Sequence, residues 1–181
     1  MSLESFRIEY RRYADILDRA LEQTDESSFN AQPTAAGNSI AMVLAHLAGN
    51  LRSRFTEFLT SDGEKPWRDR EGEFAIRRYA RDELLRSWRE AWGILDATLA
   101  GLTEADLARE VRIRGIALSV ADALARSSAH FAYHVGQIVL LAHMHRGSAW
   151  RWISIPRGGS AAYNANPDKE KGLPGRGTHS P

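Results

Sequence analysis

Three histidines carry most of the chemistry this sequence offers. His130 and His134 stand four residues apart, so on a helix their imidazoles project from neighbouring turns of one face. At that spacing one helix can give two ligands to a single divalent ion. The same spacing suits two polar residues on a half-buried flank, so it leaves both readings open. His46 lies on an earlier apolar segment, with Asn50 one turn beyond it. Gln137 falls close to His134 on the helical wheel, where it could bond a ligand, a water or a backbone group. The 181 residues include six histidines and no cysteine, which excludes disulfides, thiolate zinc sites and a cysteine nucleophile. A metal site in this chain must therefore use histidine and carboxylate.

Four segments of helical period must position these side chains. The first spans residues 2–23, with Leu3, Phe6, Tyr10, Tyr13, Leu17 and Leu21 stepping by three and four. The second starts at Asn38 or Ser39, either of which can cap it, and carries Ile40, Leu44, Leu47, Leu51, Phe55 and Phe58 before stopping at Asp62-Gly63. The third covers residues 80–102, with Leu84, Trp88, Trp92, Leu95 and Leu99 on one side, and both tryptophans are expected in the core. Ser119 with Asp122 opens the fourth, which runs to about Arg146 with Leu124, Phe131, Val135, Ile138 and Ala142 as its stripe.

The connections are less regular. Residues 25–37 read as a loop, and residues 62–74 form a dense run of charge around Trp67, expected to be a solvated connection or a rim. Thr103 and Asp106 make a capping-type turn, and residues 111–115 alternate as a short strand or hairpin. Beyond Gly147 the periodicity ends. Trp150, Trp152, Ile153 and Ile155 are candidates to pack back, and residues 166–181 read as a loose tail. The expected fold is all-α: a single four-helix bundle domain over residues 1–166, with an irregular C-terminal extension and a tail at 167–181.

At 100° per residue, His130 and His134 lie about 110° from the main stripe of the fourth helix. His46 lies about 130° from the stripe of the second, in the same rotational sense. Ala123 and Leu141 share the flank of the pair. Histidines at two stripe edges could form a polar pocket between helices, although spacing cannot show that the edges meet. Three neutral imidazoles plus water would make an open metal site. His143 points nearly opposite the pair, which suits a surface or dimer contact. His145 sits about 16 Å further along the axis than His134, and His179 falls in the tail.

With 24 basic and 23 acidic residues the net charge is +1, which lacks the electrostatic footprint of a nucleic-acid binder. Charged residues interrupt the first 19 positions, so no secretory signal is expected there. Residues 127–145 contain no Asp, Glu, Lys or Arg, but their histidines and Gln137 suit a buried helix better than a membrane span. No membrane partner is expected, and the expected location is cytoplasmic. The run from Ser154 to Ser160 is glycine-containing, yet no strand and helix flank it as a phosphate loop would require.

Several stretches together resemble the DinB-like superfamily of bacterial four-helix bundle proteins. They are His46-Leu47-Ala48-Gly49-Asn50, Arg52-Ser53-Arg54-Phe55 and Asp62-Gly63-Glu64-Lys65-Pro66-Trp67-Arg68, followed by His130-Phe131-Ala132-Tyr133-His134-Val135-Gly136-Gln137-Ile138 and Ser154-Ile155-Pro156-Arg157-Gly158. The likeness covers about residues 6–166, and within the superfamily it points to a subgroup known only as a domain of unknown function. It implies a divalent metal ion, zinc or nickel, held by His46, His130 and His134. It also implies a small-molecule substrate, a low-molecular-weight thiol partner and a homodimer. The expected function is then a metal- and thiol-dependent transferase or isomerase acting on a small electrophile, or a hydrolase-like enzyme. The alternative is a non-catalytic, metal-stabilised, stress-associated binding or dimerisation module. Segments 62–70 and 154–160 are candidate rims of the site. Any sulfur chemistry would have to arrive with a second substrate, since the chain has no cysteine.

Overall fold

The computed structural model describes residues 2–167 and is mainly α-helical. In chain order the elements are α1 (Leu3–Leu21), α2 (Glu26–Asn30), α3 (Ile40–Phe55), α4 (Arg70–Glu73), α5 (Arg81–Gly101), β1 (Glu110–Ile113), β2 (Ile116–Ser119), α6 (Val120–Arg146) and α7 (Ser160–Ala165). A 3₁₀ turn at Glu104–Ala108 precedes the hairpin, and its Thr103/Asp106 capping box is formed. Ser39 is the residue that caps α3, accepting from the Met42 N–H at 3.2 Å. Ser119 caps α6 in the same way through Asp122 N at 3.0 Å. Each hydroxyl satisfies a helix-end donor that would otherwise have no partner.

The apolar stripes become the buried sides of the long helices. α3 packs on both α5 and α6, and α1 packs on α6. One aromatic from each long helix meets at the centre. Tyr10 of α1 makes an edge contact with Phe55 of α3 at 6.3 Å and a tilted one with Phe131 of α6 at 5.9 Å. Trp88 of α5 stacks on Phe131 at 5.8 Å. Trp92 is only half-buried, so it flanks this cluster where the periodicity placed it inside.

Several boundaries differ from the expected ones for local reasons. α3 ends at Phe55, not just before Asp62, because Thr56 turns extended and its hydroxyl bonds the Arg52 carbonyl at 2.7 Å. Glu57 then takes a positive φ of 52°, which no helix continues. Phe58 keeps the expected spacing but reaches the core through this turn, packing on Phe55 at 5.3 Å. Inside the predicted loop 25–37, an Asp25/Ser28 capping box nucleates α2 and buries Phe29. α7 likewise forms where the pattern had ended.

The strand or hairpin expected near residues 111–115 is an antiparallel pair, Glu110↔Ser119 to Ile113↔Ile116. Its turn places Arg114 and Gly115 at φ 56° and 76°. β2 then runs directly into α6. At the other end, Gln23 clamps the main chain of Arg151, accepting from its N–H at 2.7 Å and donating to its carbonyl at 3.0 Å. Trp150 and Ile153 are buried by this return, whereas Trp152 and Ile155 stay exposed. His179 and the rest of the predicted tail from residue 168 lie outside the described residues. No described helix is long and apolar enough to cross a membrane.

Because Phe131 joins the rings of α1 and α5, its removal leaves a cavity at the point where the long helices meet. Phe131→Ala is expected to destabilise the fold by about 3–5 kcal/mol, read from urea denaturation midpoints. A loss below about 1 kcal/mol would mean that the ring cluster does not organise the core.

Candidate metal centre

The structure brings His46, His130 and His134 together. One ligating nitrogen from each lies within 4.8 Å of the others. The ring centroids are 5.1 Å apart for His46 and His130, 4.8 Å for His46 and His134, and 4.5 Å for His130 and His134. α3 supplies the first histidine and α6 the other two, at the stripe edges where the two helices pack. His46 and His134 are buried, while His130 is half-buried at the edge of a cavity of about 240 Å³.

Two side chains fix which nitrogens face inward. Glu73 Oε2 lies 2.8 Å from His46 Nδ1, so a neutral His46 donates there and turns its Nε2 lone pair toward the cluster. Gln137 Oε1 lies 2.8 Å from His134 Nδ1 and can accept from it, leaving Nε2 of that ring free. The Nε2 atoms of His46 and His130 are 3.1 Å apart. Tetrahedral ligands about 2.0–2.1 Å from zinc are about 3.4 Å from one another. The nitrogen spacing brackets that value, from 3.1 Å for one pair to no more than 4.8 Å for the widest, so the donor set fits a divalent ion once the rings readjust.

The electrostatics favour the neutral, metal-ready form of His130 and His134. Burial pushes the His130 imidazole down to about 3, and His134, His46, Arg68 and Arg54 add to the effect. Burial also lowers His134, against the hydrogen bond it donates to Gln137. Burial alone would raise the Glu73 carboxyl, but the His46 and Arg68 contacts outweigh it and hold the group below its ordinary value. Arg68 grips that carboxylate bidentately, Nε to Oε1 and a terminal nitrogen to Oε2, each at 2.8 Å.

Glu73 and Arg68 come from the segment expected to be a solvated connection. Part of it is instead buried, because it is stitched to α3 and to the hairpin. Ser53 Oγ and Arg54 donate to the Gly63 carbonyl, the former at 2.7 Å. Asp62 accepts from the N–H groups of Arg114 and Gly115 at 2.8 and 2.7 Å. Glu64 pairs with both Arg54 and Arg114, and Lys65 is buried over Ser61. Asp69 then caps α4 through Gly72 N at 2.9 Å, and α4 delivers Glu73 to His46. Gly49 makes room for it: a Cβ there would lie 2.0 Å from Glu73 Oε1. Sequence spacing gave no sign of Glu73 or Arg68. Gly49 did leave a trace, since glycine inside a helix costs about 1 kcal/mol against alanine and often marks a close approach.

The other candidates fall into place around this centre. Asn50 is buried and lines the cavity beside His46. Segment 62–70 contributes Arg68 and Arg70 to the lining, so part of it is a rim; Trp67 is exposed. Segment 154–160 does not line this cavity, being held around a Pro156–Gly159 turn on the surface. His143, expected at a surface or dimer contact, is half-buried with its ring stacked on Trp150 at 5.0 Å. His145 is exposed, remote from the cluster.

The family described as "Protein of unknown function (DUF1572)" matches residues 1–159, which contain all three histidines and both orienting side chains. The chain belongs to DUF1572. No curated protein matches it. The DUF1572 match ends before α7, so the centre, its stitched loop and the hairpin all lie within the family's span.

Glu73→Gln and Gly49→Ala disturb one contact by two routes, charge and space. Both are expected to weaken zinc binding about 10–100-fold, measured by competition with a chromogenic chelator, with far-UV circular dichroism preserved. Affinities within twofold of wild type in both variants would contradict an orienting role for Glu73. A second expectation concerns pH in the metal-stripped protein. The unfolded chain binds a proton at His130 near pH 6.5 and the folded chain only near 3, so this group's contribution is full above 6.5 and is lost as pH falls toward 3. Urea denaturation across that range should show falling stability, with a shallower slope in His130→Gln. An unchanged slope would contradict it.

Proposed function

We propose that this protein is a metal-dependent enzyme of the DinB-like four-helix-bundle type, with His46, His130 and His134 holding zinc or nickel. The observation that carries this proposal is the convergence of three imidazoles, two of them oriented from behind, at the wall of a cavity. Among the described residues the cluster offers three ligating side chains, which suits an ion with a position left for an exogenous ligand. When bound, the ion would lower the pKa of a coordinated thiol or water and hold the resulting anion toward an electrophile.

The chain's own residues then have separable tasks. Glu73 holds the His46 ring by its Nδ1 proton, and Arg68 keeps that carboxylate ionised and in place. Gln137 does the same for His134. Phe74, packed on the His46 ring at 4.7 Å, helps to exclude water from the buried side. The thiol must be a small-molecule cosubstrate, because the protein supplies no cysteine. The transformation is a thiol transfer or isomerisation on a small electrophile. A second copy of the chain is the proposed partner, and the exposed Tyr133, Leu140 and Met144 give α6 an apolar outer face for it.

Elemental analysis of purified protein should find about one zinc or nickel per chain, lost in His46→Ala and in His130→Ala. Metal content unchanged in both variants would overturn the site. A loaded protein should then consume a low-molecular-weight thiol in the presence of an electrophile, with the activity absent from both variants. Full metal loading with no consumption across thiols and electrophiles would favour the non-catalytic, metal-stabilised module instead.

A further inference from the structure

We infer that the cavity over the histidine cluster binds an anionic small molecule, through a carboxylate or phosphate group seated among its arginines. This rests on the proposed function in taking the cavity as the substrate site, and it names the class of substrate.

The lining contains five arginines, Arg54, Arg68, Arg70, Arg114 and Arg126, and no carboxylate. Three carboxylates, Glu73, Glu64 and Glu71, pair with four of them, and Asp62 adds a nearby charge to Arg54 without a direct ion pair, so the arginines outnumber their partners. Glu73 is committed to Arg68 and His46. One carboxylate, Glu64, is shared by Arg54 and Arg114 at 3.1 and 3.0 Å. Arg70 lies over the Phe74 ring at 5.7 Å, and its one carboxylate partner among the described residues is Glu71, an exposed neighbour at 3.2 Å that is 90% solvent-accessible along its side chain. Arg126 makes no hydrogen bond or ion pair among the described residues. A divalent ion on the imidazoles would add two further positive charges. A neutral or cationic ligand would gain nothing from this surplus, whereas an oxyanion would be drawn in and oriented.

Arg126 stands one helical turn before His130 on α6, so it flanks the cluster from the same helix. Arg70 begins α4 and flanks it from the stitched loop. Asn50 supplies a second kind of evidence. It is only 7% exposed and lines the same cavity, and its side-chain amide makes no hydrogen bond among the described residues. The amide atoms are not sealed off from the cavity, so they can meet a ligand oxygen there. The fork of an arginine matches a carboxylate or phosphate two oxygens at a time, so Arg126 and Arg70 form an anion clamp beside the imidazoles.

The test is isothermal titration of succinate, of inorganic phosphate and of neutral succinamide into the full chain, once metal-stripped and once zinc-loaded. Saturable binding of a dianion is expected, with none for succinamide. It should weaken about tenfold or more in Arg126→Gln, the scale of one lost charge-assisted hydrogen bond. Arg126→Lys should restore part of it. Succinate alone binding would identify a carboxylate ligand, and phosphate alone a phosphorylated one; either result supports the clamp. Absence of saturable dianion binding in both metal states would overturn it, as would undiminished binding in an Arg126→Gln/Arg70→Gln double variant. Zinc uptake is measured in parallel on the same samples. Dianion binding without zinc uptake would therefore reject the metal centre and keep the clamp, and zinc uptake without dianion binding would do the reverse.

Discussion

A single carboxylate on the far side of one imidazole organises the centre. Glu73 accepts a hydrogen bond from His46 Nδ1 at 2.8 Å, which fixes the ring's tautomer and turns its other nitrogen toward His130 and His134. Placing a charged carboxylate beside a buried histidine is costly unless its oxygens are fully bonded, and here Arg68 takes both. The pair in turn needs a helix surface without a side chain, which Gly49 provides one turn along from His46. Glycine, carboxylate, guanidinium and imidazole are therefore one unit, and changing any of them exposes another to an unmet partner.

That unit explains why an irregular charged segment is so heavily bonded. A loop free in solvent could not hold Glu73 to within a hydrogen bond of α3. Asp62 fastens the loop to the turn between β1 and β2, while Ser53 and Arg54 fasten it to the end of α3. The hairpin at the edge of the helical core is thus a strut for the loop as well as the lead into α6. The early end of α3 at Phe55 has the same consequence, since it releases the chain in time to turn back beneath the histidines.

The long helices were legible because burying one stripe on a 3.6-residue period is a local requirement, written residue by residue. Ser39 and Ser119 were legible as caps for the same local reason. His46, His130 and His134 could be picked out by type and by their place at stripe edges, yet only the packing of α3 on α6 brings them within 4.8 Å. Glu73 was not legible, and Arg68 was legible only as part of a candidate rim segment, not as the partner of a carboxylate. They sit in a segment without periodicity, and their partner lies 27 and 22 residues away along the chain. Phe58 misled in the opposite direction, because it keeps helical spacing while a positive φ at Glu57 breaks the helix before it.

The most direct test of the centre is X-ray absorption at the metal edge of the zinc-loaded protein. Three imidazole nitrogens at about 2.0–2.1 Å with one further light-atom ligand are expected, and the imidazole signal should drop in His134→Ala. A first shell without imidazole scattering, or one unchanged in that variant, would contradict the assignment of the metal to these three histidines.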